Sequence, residues 1–262
     1  FVFETFDDLL GDPESNRVVG DFVINKMKER VKDPEIAEML TPKGYPFFAK
    51  RPPLDHNYFE AYNRDNVKLV DINDREPIVE FTETGIRTTE NEYEFDIIVL
   101  ATGFQAYTGA QEALPIRGRN GLLLRDKWDA VSSSILGVFV AEFPNLFMIT
   151  GPQAPFANLP TSIEQNITYI VDCVKKMESE GYDLCEPQQK AEDDWVQHVA
   201  DIHEQTLMAQ GDKVHSWMMG ANLENRTPRV LIYFGGANVY YDLMRSSVDS
   251  GFPEVQFEKL AS

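Results

Sequence analysis

Asp96-Ile97-Ile98-Val99-Leu100-Ala101-Thr102-Gly103 is the stretch that decides the predicted fold. Its middle is an unbroken apolar run over residues 97–101, and it ends in a threonine and a glycine. An uninterrupted run of this kind is typical of a strand buried on both faces, as in a parallel sheet covered by helices. The stretch therefore predicts an α/β protein.

A second stretch, residues 145–151, repeats this pattern and also ends in Thr-Gly. After a proline-rich loop, Thr161 or Ser162 is placed to cap a helix, because Thr161 and Glu164 have the spacing of a capping box. Gly181 is placed to end this helix. Ligands of such sheets bind at the carboxyl ends of strands and at helix N-termini, so the pattern indicates a dinucleotide-binding sheet. The apolar stripe of the helix is predicted to be Ile163, Ile167, Ile170, Val171, Val174 and Met177.

The rest of the chain predicts helices and strands in separate groups. Helices are predicted over residues 18–31, after the Asp33-Pro34 cap, and over residues 187–207. Strands are predicted over residues 67–72, 78–82, 86–89 and 230–234, and the middle two form a hairpin. This order predicts an α/β architecture with segregated helices.

Composition limits the classes of protein. The 262 residues are 43% hydrophobic and 26% charged, as in a globular protein, and the formal net charge is −19. This charge repels nucleic-acid phosphates and anionic lipid surfaces, so neither nucleic acid nor membrane is predicted as a partner. No apolar stretch is long enough to cross a bilayer, and no secretory leader opens the chain. Cys173 and Cys185 make no disulfide framework, so we expect a cytoplasmic protein.

The start of the chain and its glycines indicate an incomplete protein. The chain opens on Phe1 with three aromatic residues among its first six, and exposed termini seldom have this character. We therefore expect that a longer precursor was cut or that an upstream segment is missing. The phosphate-binding pattern Gly-x-Gly-x-x-Gly is absent, as are a Walker loop and a metal-ligand set among the histidines. The residues alone predict an incomplete dinucleotide-binding protein without a metal.

Several segments carry a family resemblance. They are Phe48-Ala49-Lys50-Arg51-Pro52 through Asp55-His56-Asn57 to Val67, residues 96–104, Phe143-Pro144-Asn145-Leu146-Phe147, the loop from Gly151-Pro152-Gln153 to Ser162-Ile163-Glu164, and Ser216-Trp217-Met218-Met219-Gly220-Ala221-Asn222. Together they resemble the second half of type I Baeyer–Villiger monooxygenases, above all the cyclohexanone monooxygenase group, in order and over essentially the whole chain. The family's two glycine-rich fingerprints belong upstream, so the missing N-terminal half of the same enzyme is an implied partner.

The resemblance implies part of a flavoprotein with two dinucleotide-binding domains, built from parallel sheets with a β-meander. Residues 1–46 would be a helical segment, and residues 47–103 the remainder of the NADP-binding domain. Residues 104–262 would be the C-terminal part of the FAD-binding domain, including a substrate loop.

A reaction is implied as well. In this family NADPH reduces FAD, O2 adds to the flavin C4a, and the resulting peroxyanion attacks a ketone to give an ester or a lactone. The peroxyanion needs a permanent cation beside it, and arginine keeps its proton in a protein. Arg51 matches the family's catalytic arginine. Without the resemblance, Arg51 would be interpreted as one of many ion-paired surface arginines.

Other residues match cofactor and substrate positions of the family. Lys50 is assigned to the 2′-phosphate of NADP. Because Pro52 favours extended backbone at Arg51, these two neighbours are expected to point to opposite sides. For each position the alternative is a structural role, such as a solvated lysine, a core tryptophan or a loop anchor. The further assignments are Trp217 to the nicotinamide ribose, Thr161 at the helix N-terminus to the flavin, Thr102 and Gly103 to a cofactor at the strand end, and Phe156 and Leu159 to the substrate.

Two other functions stay open. The chain could be a non-catalytic fragment or an interaction module of the same fold. It could also belong to another class B flavin monooxygenase that oxidises nitrogen or sulfur, although Arg51 in its Lys-Arg-Pro segment argues against this.

Overall fold

The computed structural model describes residue 6, residues 8–222 and residues 229–260. The chain divides into two units, Phe1–Phe47 with Arg51–Gly103 and Phe48–Lys50 with Phe104–Ser262. One boundary thus falls directly after the Thr102-Gly103 pair, and the other two fall on either side of a three-residue segment.

Two helices that begin with proline open the first unit. Helix α1, Pro13–Lys28, is capped by Asp12, whose side chain accepts a hydrogen bond from the backbone N–H of Ser15. Helix α2, Pro34–Leu40, is capped by Asp33, which accepts from the N–H groups of Glu35 and Ile36. Proline suits the first position because the N–H there would have no partner within the helix. The helices predicted in this region are confirmed, and a short helix α3, Tyr58–Ala61, follows.

A three-stranded antiparallel sheet completes the first unit. Its order is β1 Ile78–Phe81, β2 Gly85–Thr88 and β3 Glu92–Glu94. Phe81 pairs with Ile86, which confirms the predicted hairpin. Glycine is required at position 85, because a Cβ there would lie 1.8 Å from the carbonyl oxygen of Tyr93 on β3.

The strands predicted over residues 67–72, 96–103 and 145–151 are wrong, since none of these stretches forms a strand. Ile97 and Val99 are 80% and 81% exposed instead of buried. A strand needs a neighbour with which to exchange backbone hydrogen bonds, and none of the described segments pairs with residues 96–103. In residues 145–151 the backbone is left-handed at Asn145 and Thr150, with φ of 58° and 51°, which interrupts the extended run.

The second unit contains the longest described helix, of 22 residues. Its two small sheets pair β4 Ala154–Pro155 with β6 Ile232–Tyr233 in parallel, and β5 Leu184–Pro187 with β7 Val255–Glu258 in antiparallel. The helix predicted over residues 187–207 and the strand predicted over 230–234 are confirmed in shorter form, and the mixed architecture confirms the α/β class. The helices are α4 Gly109–Ala113, α5 Leu124–Lys127, α6 Leu159–Glu180, α7 Gln189–Glu204 and α8 Ala237–Asp249, with 3-10 turns at Arg119–Gly121, Leu207–Val214 and Trp217–Met219.

Helix α6 differs from its prediction at its start and in its buried face. It begins at Leu159 after Asn158, so neither Thr161 nor Ser162 is its cap, whereas Gly181 ends it with a left-handed φ of 68° as predicted. Its buried residues are Ser162, Asn166, Tyr169 and Cys173. Three members of the predicted stripe, Ile163, Ile167 and Val171, are exposed. The core contacts the neighbouring face of the helix, which apolar spacing alone does not identify.

The core of the second unit lies among α6, α7 and α8. Its buried members include Phe139, Tyr169, Val199 and Tyr240, and the rings of Phe139 and Tyr169 meet edge to face at 5.8 Å. Within the part of the chain that the structure describes, no helix has both the length and the apolar character needed to cross a membrane.

Candidate active site

The loop before α6 is held on both sides by hydrogen bonds. The Ser134 hydroxyl donates to the carbonyl oxygen of Pro152 at 2.6 Å, and the N–H of Gln153 donates to the carbonyl oxygen of Leu231 at 2.8 Å. Ala154 then pairs with Ile232 in the short parallel sheet. These bonds fix the backbone that leads to Phe156.

A buried polar chain connects the same loop to two helices. The N–H of Thr150 donates to Oδ1 of Asn166 at 2.8 Å, and Nδ2 of Asn166 donates to the Tyr240 hydroxyl at 3.2 Å. The Tyr240 hydroxyl donates in turn to the carbonyl oxygen of Leu136. Burial raises the pKa of Tyr240, so its phenol stays neutral and keeps both bonds. A buried network with satisfied partners holds one geometry.

Four aromatic side chains, which we call the aromatic patch, lie close to this loop in the second unit: Phe48, Tyr107, Phe156 and Trp217. Phe48 and Phe156 meet edge to face at 6.2 Å, and Tyr107 and Trp217 stack at 6.2 Å. Tyr107, Phe156 and Trp217 all pack against one buried apolar cluster that includes Met218. The structure therefore brings together the predicted residues Phe156 and Trp217.

Sequence reasoning missed Phe48 and Tyr107. Both residues have left-handed backbone, with φ of 77° and 62°, which is uncommon for bulky side chains. The available signal was position: Phe48 lies two residues before Lys50, and Tyr107 lies four residues after Gly103.

Two further residues that were predicted to belong to the site lie exposed at the N-terminus of α6. Leu159 is the first residue of the helix and is exposed, and Thr161 is the third and is also exposed. Asn158 makes no side-chain cap bond to the first turn. The first N–H groups of a helix have no partners within it and carry partial positive charge. This end of α6 is therefore suited to a negatively charged group.

Lys50 and Arg51 fall in different units. Lys50 is exposed and follows Ala49, which is buried in the second unit. Arg51 is exposed, and no carboxylate described in its own unit pairs with it. Arg30 of that unit contrasts with it, because Arg30 holds Asp55 at 2.8 Å and Glu60 at 2.6 Å.

The two carboxylates beside Arg30 show what an ion-paired arginine does in this unit. Hydrogen bonds from Arg30 lower the pKa of Asp55 and the pKa of Glu60. Arg51 is not of this kind among the described residues of its unit.

Thr102 and Gly103 are exposed at the end of the first unit. Gly103 has a φ of 92°, and a Cβ there would meet nothing within 4 Å. The glycine is thus needed for its backbone angle, and its surroundings are open enough for a ligand to approach the backbone.

Several known proteins are similar to this chain over almost its whole length. No protein-family model matches the chain. A Baeyer–Villiger monooxygenase of Pseudooceanicola batsensis is 40% identical over 262 residues, which are 100% of this chain and 47% of that protein. Cyclohexanone 1,2-monooxygenase of an Acinetobacter species is 40% identical over 241 residues, or 92% of this chain and 43% of that protein. This chain matches the C-terminal half of the Baeyer–Villiger monooxygenases.

Solved monooxygenase structures give the same match. The closed crystal structure of a cyclohexanone monooxygenase superposes with a TM-score of 0.92 at 39% identity, covering 98% of this chain and 48% of that one. An oxidized steroid monooxygenase bound to NADP superposes with a TM-score of 0.88 at 37% identity, covering 98% of this chain and 48% of that one. The chain spans about half the length of the Baeyer–Villiger monooxygenases it matches.

One relative carries a different name. Phenazine N-monooxygenase PhzNO1 of Lysobacter antibioticus is 39% identical over 253 residues, which are 96% of this chain and 46% of that protein. The chain is therefore about as similar to a protein named for oxidation at nitrogen as it is to the Baeyer–Villiger monooxygenases.

Proposed function

We propose that this chain is the C-terminal half of an FAD- and NADPH-dependent monooxygenase that inserts one oxygen atom of O2 into a ketone to give an ester or a lactone. The observation that carries the proposal is the 40% identity to a Baeyer–Villiger monooxygenase over the whole chain. In this proposal residues 47–103 belong to the NADP-binding domain and residues 104–262 to the FAD-binding domain, while residues 1–46 form a helical segment.

Several features of the described residues fit the two cofactors. The aromatic patch offers ring faces to a planar ring system, and the uncapped N-terminus of α6 at Leu159 offers partial positive charge to an electron-rich edge. A solved relative at 36% identity is a complex with FAD and NADP. FAD, when bound, supplies the transfer of electrons from NADPH to O2.

Each predicted site residue has one role in this proposal. Arg51, exposed in its unit, supplies a positive charge that stabilises the anionic oxygen that attacks the ketone. Lys50 binds the 2′-phosphate of NADP through a charge-assisted hydrogen bond. The remaining roles are Trp217 against the nicotinamide ribose, Thr161 at the flavin, Thr102 and Gly103 at a cofactor phosphate or ribose, and Phe156 and Leu159 against the ketone.

The proposal includes a partner and a compartment. Both glycine-rich fingerprints are absent from this sequence, so activity requires an N-terminal half that supplies them. The buried thiols of Cys173 and Cys185 are both free, which agrees with a reducing cytoplasm.

Co-expression tests the proposal. The 262-residue chain is produced alone and together with the N-terminal half of a cyclohexanone monooxygenase. The complex should be yellow and should convert cyclohexanone with NADPH and O2 to ε-caprolactone, detected by gas chromatography. The chain alone should bind FAD weakly and form no lactone. A yellow complex that consumes NADPH without lactone, or an intact complex that takes up no FAD, would contradict it; the second result favours the non-catalytic alternative.

Oxidation at nitrogen is the second candidate function, and its support is the 39% identity to the phenazine N-monooxygenase. The same complex is supplied with phenazine in place of cyclohexanone. An N-oxide product with no lactone from cyclohexanone would move the assignment from ketones to aromatic nitrogen.

A further inference from the structure

Residues 96–103, which we call the apolar run, expose their side chains to an unusual degree. All eight residues are exposed. In a strand, neighbouring side chains point to opposite sides, so the four large apolar side chains would form two faces. A run that is apolar on both faces is typical of a strand covered on both sides, and contiguous exposed apolar surface marks a site of interaction. The exposed fractions are 80% for Ile97, 39% for Ile98, 81% for Val99 and 69% for Leu100.

The backbone of the apolar run also lacks partners. The N–H of Phe95 donates to the carbonyl oxygen of Thr84 at 2.9 Å, just before the run begins. Within the part of the chain that the structure describes, no N–H or C=O group of residues 96–103 takes part in a hydrogen bond. A polypeptide that adds alongside as a strand would supply these bonds and cover the side chains at the same time.

The length of the relatives indicates which polypeptide this is. The two Baeyer–Villiger relatives described above have more than half of their length outside the region that this chain matches. That region is their C-terminal half, so the part without a counterpart is N-terminal. A glycine-rich fingerprint follows directly after a strand of a parallel sheet. The N-terminal half of the proposed enzyme, which supplies the fingerprints, therefore contains strands of such sheets.

A second copy of this chain is a poorer occupant. Each copy has a formal net charge of −19, so two copies repel each other. Glu92, Glu94 and Asp96 lead into the apolar run. Two runs that paired in parallel and in register would place these carboxylates beside each other, and like charges directly opposite destabilise a sheet. A strand of different sequence does not have to repeat them.

We propose that the apolar run is a docking surface for the N-terminal half of the enzyme, and that it adds there as a strand whose two faces are covered. The inference rests on the proposed function only for the existence of that half. Docking would place Thr102 and Gly103 at the carboxyl end of a strand in a sheet, where ligands of α/β proteins bind. Assembly of the two halves and completion of a cofactor site would then depend on the same eight residues.

Hydrogen exchange followed by mass spectrometry tests the docking. The 262-residue chain is measured alone and after co-expression with the N-terminal half of a cyclohexanone monooxygenase, without FAD, NADP or ketone. The amides of residues 97–101 should exchange freely in the chain alone and at least a hundredfold more slowly in the complex. Unchanged exchange in the complex, or halves that do not associate, would overturn the proposal. Equal protection in the chain alone at the same concentration would assign the surface to a second copy.

Substitutions test whether both faces are covered. Val99→Lys and Leu100→Lys point to opposite sides of a strand, and each should raise the Kd between the halves at least tenfold, measured by analytical ultracentrifugation. Leu260→Lys is the matched control, because Leu260 is 59% exposed and lies in the second unit; its Kd should stay within about twofold. The urea midpoint of each free variant should stay unchanged, since these side chains are exposed. An effect from one face only, or an equal effect of Leu260→Lys, would contradict the proposal.

The outcome can be separated from that of the proposed function. A complex that forms lactone while residues 97–101 stay unprotected would refute the docking and leave the function standing. A complex that protects these residues but forms no lactone would confirm the docking and refute the function.

Discussion

The ammonium group of Lys127 lies 3.0 Å from a carboxylate oxygen of Glu192, and the two side chains are 10% and 1% exposed. Glu192 also accepts hydrogen bonds from the Ser133 hydroxyl at 2.8 Å and from the N–H of Ala141 at 2.6 Å. The carboxylate therefore joins α5, α7 and the segment between them. Removing one member of a buried ion pair leaves the other charge without compensation.

Glu192→Ala should lower the free energy of unfolding by about 3–5 kcal/mol, because Lys127 would keep a buried charge with only the exposed Glu142, at 3.6 Å, beside it, and two further donors would lose their acceptor. Urea denaturation of the 262-residue chain measures the change. Asp194→Ala is the matched control on the same helix: its pair with Lys190 is 65% and 79% exposed, so the loss should stay below about 1 kcal/mol. Equal losses in the two variants would show that the burial of Glu192 contributes nothing.

Tyr240 should make the stability depend on alkaline pH. Burial raises the pKa of Tyr240, so the folded chain keeps the phenol proton above pH 10, where the unfolded chain releases it. The stabilisation is complete below pH 10 and falls by up to about 1.4 kcal/mol per pH unit above it. Tyr240→Phe should flatten this decline by that amount, and at pH 7 it should cost about 1–3 kcal/mol for the bonds lost at Leu136 and Asn166.

Urea unfolding between pH 8 and pH 11.5 measures the Tyr240 effect. Burial also raises the pKa of Tyr169, so part of the alkaline decline should remain in Tyr240→Phe. The same slope in both proteins would exclude Tyr240 as a source of the decline.

Arg51→Ala in the reconstituted enzyme should separate two half-reactions. Flavin reduction by NADPH should persist, whereas lactone formation should fall about a thousandfold. The reason is that opposite charges 4 Å apart at an effective dielectric near 20 attract by about 4 kcal/mol, or roughly three decades in rate. Stopped-flow absorbance follows the flavin, and gas chromatography follows the lactone.

The control for Arg51 is Arg75→Ala, an exposed arginine of the same unit that pairs with Glu35 at 2.9 Å. It should leave both half-reactions within about twofold, since surface ion pairs contribute little. Lactone formation by Arg51→Ala within a few-fold of the unaltered enzyme would remove Arg51 from the catalytic role.

Lys50→Ala should weaken NADPH far more than NADH. A lysine at the 2′-phosphate makes a charge-assisted contact of about 1.5–3 kcal/mol that only NADPH can use. The ratio of KM values for NADH and NADPH should therefore fall by about ten- to a hundredfold. Lys50→Arg keeps the charge and should recover most of the preference. Equal weakening of both cofactors would indicate that Lys50 acts through structure.

Local signals in the sequence predicted local structure correctly. The Asp33-Pro34 cap, the hairpin before Ile86 and the helix end at Gly181 depend on neighbours a few residues away. Burial of the run at Ile97 depends on strands elsewhere in the fold, and that prediction was wrong. The buried face of α6 was missed for the same reason, because Asn166 is buried through hydrogen bonds with Thr150 and Tyr240, which are distant in sequence.

The residues of the candidate site were likewise predicted only in part. Phe156 and Trp217 were predicted from the family resemblance, and the structure brings them to one cluster. Phe48 and Tyr107 were not predicted, since their left-handed backbone has no sequence signature in bulky residues. Glu192 shares a helix face with Trp195, but its partner Lys127 lies on another helix, so its burial had no local signal.

The exposed apolar run at residues 96–103 should make the isolated chain prone to self-association. Extended apolar backbone with unsatisfied N–H and C=O groups is a template onto which the same segment of another molecule can add as a β-strand. Ile97, Val99 and Leu100 expose apolar side chains, and none of the described segments pairs with residues 96–103 as a strand. Concentrated stocks of the chain alone should form higher-order species visible by light scattering, and a charged residue in place of Val99 should delay their appearance by acting as a gatekeeper.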